Sequence, residues 1–170
     1  LDESGLPPFQ LEIEITESLL ISDTDNALRC LHALHELGVH VALDDFGTGF
    51  SSLAYLWRFP FDKVKIDRMF TQALGDDNKV TLIVKSIVSL AHDLNIRVNA
   101  EGIETEAQME MMREYGCDEL QGFLLGRPGR VDVHRQSRGV PTPRPYAART
   151  DFASLSTMPA PLTLSGRSPI

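Results

Sequence analysis

The chain has 170 residues, of which 42% are hydrophobic and 24% charged, a balance typical of a folded globular domain and unlike that of a wholly disordered chain. Its formal net charge of −8 disfavours a broad nucleic-acid-binding face, because an acidic surface repels a phosphate backbone. No run of about 18 apolar residues offers a membrane span, and the first residues lack a secretory signal pattern, so we expect a cytoplasmic location. Cys30 and Cys117 fit no metal-binding pattern, which favours reduced structural thiols.

Short β-rich runs alternate with helical stretches along the first 135 residues. The elements predicted in chain order are a strand at 11–15, a helix at 22–37, a strand at 39–43, a helix at 51–59, a strand at 63–66, a helix at 78–95, a strand at 96–100, a helix at 105–115 and a strand at 119–125. Ser22 or Asp23 caps the first long helix and Gly38 ends it, whereas Thr105 to Gln108 fit a capping box. This alternation predicts an α/β fold with a parallel sheet, either open or closed into a barrel.

Residues 136–170 follow a different pattern from residues 1–135. This segment is rich in Pro, Gly, Ser and Thr, and its apolar residues show neither helical nor alternating spacing. Such a segment buries too little apolar surface to offset the loss of chain entropy on folding. We therefore expect one domain at 1–135 followed by a disordered tail at 136–170.

Polar side chains collect at the carboxyl ends of the predicted strands. They are Glu14, Glu17, Asp44, Asp45, Lys65, Glu101, Glu104 and Gln121. In a parallel barrel these strand ends meet on one face. Carboxylates held within a few ångströms of one another repel unless a cation neutralises them, so the pattern predicts a metal site. With neither His nor Cys nearby, the oxygen ligands Glu14, Asp44, Asp45 and Glu101 favour Mg²⁺ or Mn²⁺.

Such a site has the chemistry for phosphodiester hydrolysis. Two divalent ions about 3.5–4 Å apart generate hydroxide and stabilise the attacking and leaving oxygens of an in-line displacement. Lys65 is placed to orient water or to neutralise charge that develops on the phosphate. Each motif alone also fits a simpler interpretation: a turn at Asp44-Asp45, a surface ion pair at 65–67 and a helix start at Glu101. The prediction of a site rests on their combination.

Five motifs stand in a distinctive order and spacing. They are Glu14-Ile15-Thr16-Glu17-Ser18, the run from Asp44 to Ser52, Lys65-Ile66-Asp67-Arg68, the run from Ala100 to Thr105, and Gln121-Gly122-Phe123. This series resembles the motifs of the EAL-domain cyclic di-GMP phosphodiesterases over about residues 9–128. The resemblance implies a modified TIM-type (β/α) barrel that hydrolyses cyclic di-GMP, a bacterial second messenger of signal transduction, to linear pGpG with Mg²⁺ or Mn²⁺.

The resemblance also implies a role for each site residue. It implies metal ligands at Glu14, Asp44, Asp45 and Glu101. Glu101 is in addition the candidate that activates water, Lys65 the active-site lysine, and Gln121 the glutamine near the water of the metal site. Glu17 is the residue that anchors the loop after the two aspartates, a loop used in dimer contact and activation. Glu104 either accepts a hydrogen bond behind a metal ligand or is merely a helix-start carboxylate.

The chain also departs from the family pattern. It contains neither a Glu-Ala-Leu segment nor the strand that carries the family's asparagine ligand, and Asn99 stands where the family has an apolar residue. Two metal ligands are thus missing, and five strands instead of eight leave unpaired edges.

Three hypotheses follow from these departures. The first is a partial EAL barrel whose phosphodiesterase activity is impaired. The alternative is a non-catalytic cyclic di-GMP-binding or dimerisation module, and the third is a fragment that does not fold. Cyclic di-GMP and a homodimer or GGDEF/EAL partner domain are the expected partners.

Overall fold

The computed structural model of the protein describes residues 3–22, 24–47, 53–75 and 78–129, with residues 21 and 22 described by their backbone alone. The chain divides into two compact units, Leu1–Pro128 and Gly129–Ile170. Apart from Gly129, the second unit lies outside the described residues, and so does the predicted disordered tail at 136–170. Within the described residues, the sheet and the helices belong to the first unit.

Five strands form one parallel sheet in which every strand lies beside its neighbours in the chain. The strands are β1 (Glu12–Thr16), β2 (His40–Phe46), β3 (Lys63–Ile66), β4 (Arg97–Ala100) and β5 (Glu119–Leu120). Parallel neighbours require a crossover between them, and helices supply each one here. This arrangement confirms the predicted α/β fold and is that of part of a (β/α) barrel.

The helices of the described segments lie between the strands. They are α1 (Glu17–Ser22), α2 (Thr24–Glu36), α3 (Leu53–Arg58), α4 (Arg68–Gln72), α5 (Asn78–Asp93) and α6 (Glu106–Tyr115), preceded by a 3₁₀ turn at Pro8–Gln10. The predicted capping box is confirmed, because Thr105 and Gln108 each accept a hydrogen bond from the other's backbone N–H. No helix in this part of the chain combines the length and the apolar character that a bilayer crossing requires.

Two strand ends differ from the predicted ones by more than one residue. The second strand was expected to end before Asp44, yet β2 continues through both aspartates to Phe46, a side chain only 2% exposed. The last strand was expected to reach Leu125, but β5 ends at Leu120. The chain turns immediately after it, since the Leu125 N–H donates to the Gly122 carbonyl.

The two faces of the sheet have opposite chemistry, because side chains alternate along each strand. One face is apolar and packs in a core with the helices; its strand residues include Val41, Leu43, Val64, Ile66 and Val98. The other face carries charged and amide side chains on every strand. Those side chains are Glu12, Glu14, Asp44, Lys63, Lys65, Arg97, Asn99 and Glu119. Four of the predicted site residues lie at the carboxyl-end edge of this polar face: Glu14, Asp44, Lys65 and Glu101.

Candidate active site: a carboxylate cluster around Lys65

The ammonium of Lys65 lies among three carboxylates from three other segments. Its Nζ is 2.8 Å from Glu14 Oε1, 3.0 Å from Asp44 Oδ1 and 2.8 Å from Glu101 Oε1. The Lys65 side chain is 5% exposed, whereas Glu14 is half exposed. We call these four residues the upper cluster. It brings together four of the side chains predicted to form the site.

A β-bulge at the end of β2 places Asp44, but not Asp45, against the lysine. Strands β2 and β3 pair in register through Leu43 and again at Phe46. Between these points β2 has two residues, Asp44 and Asp45, where β3 has only Lys65. A bulge of this kind redirects side chains next to functional sites. Here it turns Asp44 toward the ammonium and leaves Asp45 exposed, with a positive φ of 55° and its N–H donating to Asp44 Oδ1.

The carboxylates keep Lys65 charged. Burial by itself lowers the pKa of a lysine, but hydrogen bonds to Glu101, Glu14 and Asp44 outweigh burial, so the pKa of Lys65 is raised above its ordinary value of 10.5. A lysine with a raised pKa stays protonated near neutral pH. Lys65 therefore acts in this site as a fixed positive charge.

Backbone contacts fix the segments that carry Glu101 and Gln121. The Thr71 hydroxyl donates to the Glu101 carbonyl at 2.6 Å, and the Glu101 N–H donates to the Ile66 carbonyl. A Cβ at Gly122 would collide with the Ile103 backbone, to which the Gln121 carbonyl is hydrogen-bonded. Only glycine permits this close approach. Both site segments are thus held by main-chain contacts with neighbouring loops.

The remaining predicted residues lie around the upper cluster. Gln121 is exposed, and its Oε1 accepts a hydrogen bond from Asn99 Nδ2 at 3.5 Å. Glu17 is 6% exposed at the start of α1. Glu104 is exposed ahead of α6 and its N–H donates to Gln108 Oε1, an arrangement that favours the helix-start interpretation of this residue. Residues 48–52, in the loop after the two aspartates, lie outside the described residues.

A second ionic cluster lies on the same face, one residue pair back along the strands. Lys63 Nζ is 2.7 Å from Glu12 Oε2 and 2.7 Å from Glu119 Oε2, and Arg97 Nη1 is 2.8 Å from Glu119 Oε1. We call these four residues the lower cluster. The lower cluster was not predicted, although charged residues spaced two apart on β1 and β3 are a visible signal in the sequence. The lower cluster occupies the part of the polar face nearer the amino ends of the strands.

The donor atoms of the upper cluster are of the type that a hard divalent cation prefers. Glu14, Asp44 and Glu101 offer carboxylate oxygens, the ligands that Mg²⁺ and Mn²⁺ prefer. Three carboxylates and one ammonium also leave two formal negative charges in excess, which is the charge that one divalent ion carries. As the side chains stand, no group of three or more His, Cys, Asp or Glu in the part of the chain described is arranged around a metal position. The Lys65 ammonium lies between the carboxylates instead.

Comparisons with known proteins identify the family of the first 128 residues. The EAL domain family model matches residues 1–128. A bifunctional diguanylate cyclase/cyclic di-GMP phosphodiesterase of Pseudomonas aeruginosa, MucR, is 50% identical over 124 residues, which are 73% of this chain and 18% of that protein.

Solved structures of similar proteins include complexes with cyclic di-GMP. The PaMucR phosphodiesterase in its c-di-GMP complex has a TM-score of 0.74 at 46% identity, covering 79% of this chain and 54% of that one. Klebsiella pneumoniae BlrP1, in a complex with manganese and cyclic di-GMP, has a TM-score of 0.71 at 39% identity, covering 75% and 33%. This chain therefore spans only part of each of the proteins that it resembles.

Proposed function

Because the chain belongs to the EAL domain family, we propose that it acts in cyclic di-GMP signalling as part of a metal-assisted phosphodiesterase that hydrolyses cyclic di-GMP to linear pGpG. The observation that carries the proposal is the upper cluster, in which three carboxylates from separate segments surround one ammonium at the carboxyl ends of the strands. Similar proteins named as phosphodiesterases, one of them in a c-di-GMP complex, support it.

The residues divide the chemistry among them. A bound Mg²⁺ or Mn²⁺ supplies the charge that activates water and neutralises the phosphodiester. Glu14, Asp44 and Glu101, with Asp45 next in the chain, would hold such an ion. Glu101, whose carboxylate is 19% exposed and lies 2.8 Å from Lys65 Nζ, is the group that would accept the proton of the attacking water.

Lys65 and Gln121 act on the substrate side. The buried ammonium of Lys65 stays positive and offsets charge that develops on the phosphate. Gln121 is exposed at the same edge and orients water through its amide. Glu17, buried at the start of α1, anchors the loop after Asp45, through which we propose that the chain forms a homodimer or pairs with a GGDEF or EAL domain.

One observation favours a second candidate, a non-catalytic module that binds cyclic di-GMP. The contacts that Lys65 makes use the same carboxylate oxygens that a metal would need. If the ammonium stays in place when nucleotide arrives, the chain binds without turnover. A single experiment separates the two candidates.

The test is to incubate the 170-residue chain with cyclic di-GMP and Mn²⁺ and to follow pGpG by chromatography. Binding of cyclic di-GMP is measured in parallel by calorimetry. We expect turnover that falls at least about 100-fold in Glu101→Gln, because that variant loses both a metal ligand and the proton acceptor. The matched control is Glu110→Gln, the same change on an exposed position of α6, which should keep full activity.

Each outcome decides between the candidates. Product that disappears in Glu101→Gln and persists in Glu110→Gln supports the phosphodiesterase. Binding without product supports the non-catalytic module. A chain that neither binds nor hydrolyses cyclic di-GMP contradicts both.

A further inference from the structure

Asn99 is a buried amide on the polar face of the sheet that the proposed chemistry does not use. Its side chain is 6% exposed, and it lies on β4 directly opposite Lys65 of β3 and Glu119 of β5 in the strand register. It is also two residues before Glu101, so both side chains lie on the same side of the strand. Asn99 thus stands between the upper and lower clusters.

The two polar atoms of the Asn99 amide differ in their hydrogen bonding. Its Nδ2 donates to Gln121 Oε1 at 3.5 Å, at the long limit for a hydrogen bond. Its Oδ1 is fully buried and has no hydrogen-bond partner among the described residues. The neighbouring cations are already engaged, Lys65 with the three carboxylates and Arg97 with Glu119. A buried acceptor left without a donor destabilises a fold, and native structures contain few of them.

An apolar residue at this position would remove that penalty. The residues on either side of Asn99 in β4 are Val98 and Ala100. Both are apolar and fully buried on the opposite face of the sheet. Valine suits a strand better than asparagine does. The asparagine therefore has no evident advantage for folding, which points to a role in ligand binding.

We propose that Asn99 is a positioning residue of the site: its Nδ2 holds the Gln121 amide in place, and its Oδ1 accepts a hydrogen bond from a donor, such as water, that enters with cyclic di-GMP. This inference rests on the proposed function. It extends that function to a residue in which this chain differs from the pattern of the EAL motifs. The donor to Oδ1 arrives with the ligand, because the described part of the chain does not provide one.

Folding stability gives the first test, and it needs neither metal nor nucleotide. In thermal unfolding of the 170-residue chain, Asn99→Val should raise the midpoint or leave it unchanged, because it removes the unpaired acceptor. If Asn99 were merely a structural residue, Asn99→Val would instead lower the unfolding midpoint. Asn26→Ala, on the exposed side of α2, is the matched control for loss of an amide.

Kinetics give the second test. With cyclic di-GMP and Mn²⁺, Asn99→Val should lower kcat about 10-fold, the scale on which partners that orient a site's ligating groups act, with KM within about twofold of the wild type. Asn26→Ala should leave both unchanged. Since Asn99 acts in part through Gln121, Asn99→Val should slow Gln121→Ala by a smaller factor than it slows the wild type.

The outcomes separate failure of this inference from failure of the proposed function. A wild-type chain that turns over cyclic di-GMP, with Asn99→Val equally fast or with fully additive effects in the double variant, refutes the role of Asn99 alone. A lowered unfolding midpoint of Asn99→Val also refutes it, because the asparagine is then a structural residue. A wild-type chain that neither binds nor hydrolyses cyclic di-GMP refutes the proposed function and, with it, the ligand role of Asn99.

Discussion

Two ionic clusters lie on one face of the same sheet, and they differ in charge balance. The lower cluster pairs Lys63 and Arg97 with two glutamates, so its formal charges cancel. The upper cluster has three carboxylates around Lys65, so two of its formal negative charges are in excess. Both are built from alternate residues of the same strands. The same strands therefore carry one cluster with balanced charge and one with excess negative charge.

The position of the two clusters agrees with this difference. The lower cluster lies toward the amino ends of the strands, where residues of a barrel serve stability, and the upper cluster lies at the carboxyl ends, where catalytic residues of such barrels occur. Surplus like charge is unfavourable in a protein that holds no cation. The upper cluster is consequently the part of the sheet that should respond to added metal.

Loss of the Lys65 ammonium should have the largest effect. We expect Lys65→Met to lower the free energy of unfolding by about 4 kcal/mol in metal-free buffer, as breaking a buried ion pair does, because three carboxylates are then left without their counter-charge. Added Mn²⁺ should restore part of this stability and should raise the unfolding midpoint of the variant more than that of the wild type. Chemical denaturation with and without the metal measures both effects. A variant as stable as the wild type would show that the upper cluster is not strained by its excess charge.

Replacement of the tightly packed glycine beside the upper cluster should come next. Gly122→Ala places a Cβ against the Ile103 backbone, so we expect a loss of about 3 kcal/mol and displacement of Gln121. Gly126→Ala is the matched control, since a Cβ at Gly126 would meet no atom of the described segments within 4 Å, and it should change stability by less than about 0.5 kcal/mol. Equal stabilities of the two variants would contradict the close approach seen here.

The same change in the balanced cluster should have a smaller effect. Lys63→Met leaves Arg97 to compensate Glu119, so we expect a loss of about 2 kcal/mol, less than in Lys65→Met. Because the lower cluster carries no excess negative charge that would attract an ion, Mn²⁺ should not rescue this variant selectively. Denaturation of Lys63→Met in the presence and absence of Mn²⁺ tests the distinction. Rescue equal to that of Lys65→Met would remove the proposed difference between the clusters.

The smallest effect lies away from both clusters, at the cysteines. Burial, with a contribution from Asp118, raises the pKa of Cys117 from 9.0 to about 12, so this thiol stays protonated and unreactive near pH 8, while Cys30 is exposed. Labelling with a thiol reagent at pH 8 should modify Cys30 quickly and Cys117 only on unfolding. The raised pKa also determines how stability depends on pH. Because the thiol ionises at lower pH in the unfolded chain than in the folded chain, the free energy of unfolding should fall between pH 9 and 12. Below pH 9 the thiol is protonated in both states, so Cys117 should contribute no pH-dependent stability. Fast labelling of Cys117 in the folded chain would contradict its burial.

Sequence reasoning succeeded where periodicity and caps were strong. Strand β3 was predicted with its observed bounds, and the capping box of α6 stands as expected. The helices α1 and α4 were missed because six and five residues are too few to display a helical period. The bulge at Asp44 and Asp45 was missed because a positive φ at an aspartate leaves no mark in the sequence pattern.

The sequence was enough to predict which carboxylates belong to the site. It was not enough to predict the contacts that they make with one another and with Lys65. Strand ends indicated which oxygens would meet, whereas the contact between Lys65 and all three depends on strand register and on the bulge. The Asn99 contact to Gln121 likewise depends on the pairing of β4 with β5. Long-range register of this kind is set by the whole sheet and is not encoded in any short motif.

The most direct test of the claim that the upper cluster is a cation site is thermal unfolding with and without Mn²⁺ of three forms: the wild-type chain, Glu101→Gln in the upper cluster and Glu119→Gln in the lower cluster. Each form is compared with its own metal-free midpoint. We predict that Mn²⁺ raises the midpoint of the wild type and of Glu119→Gln, and raises that of Glu101→Gln far less. Equal shifts in all three forms, or no shift in the wild type, would contradict the assignment.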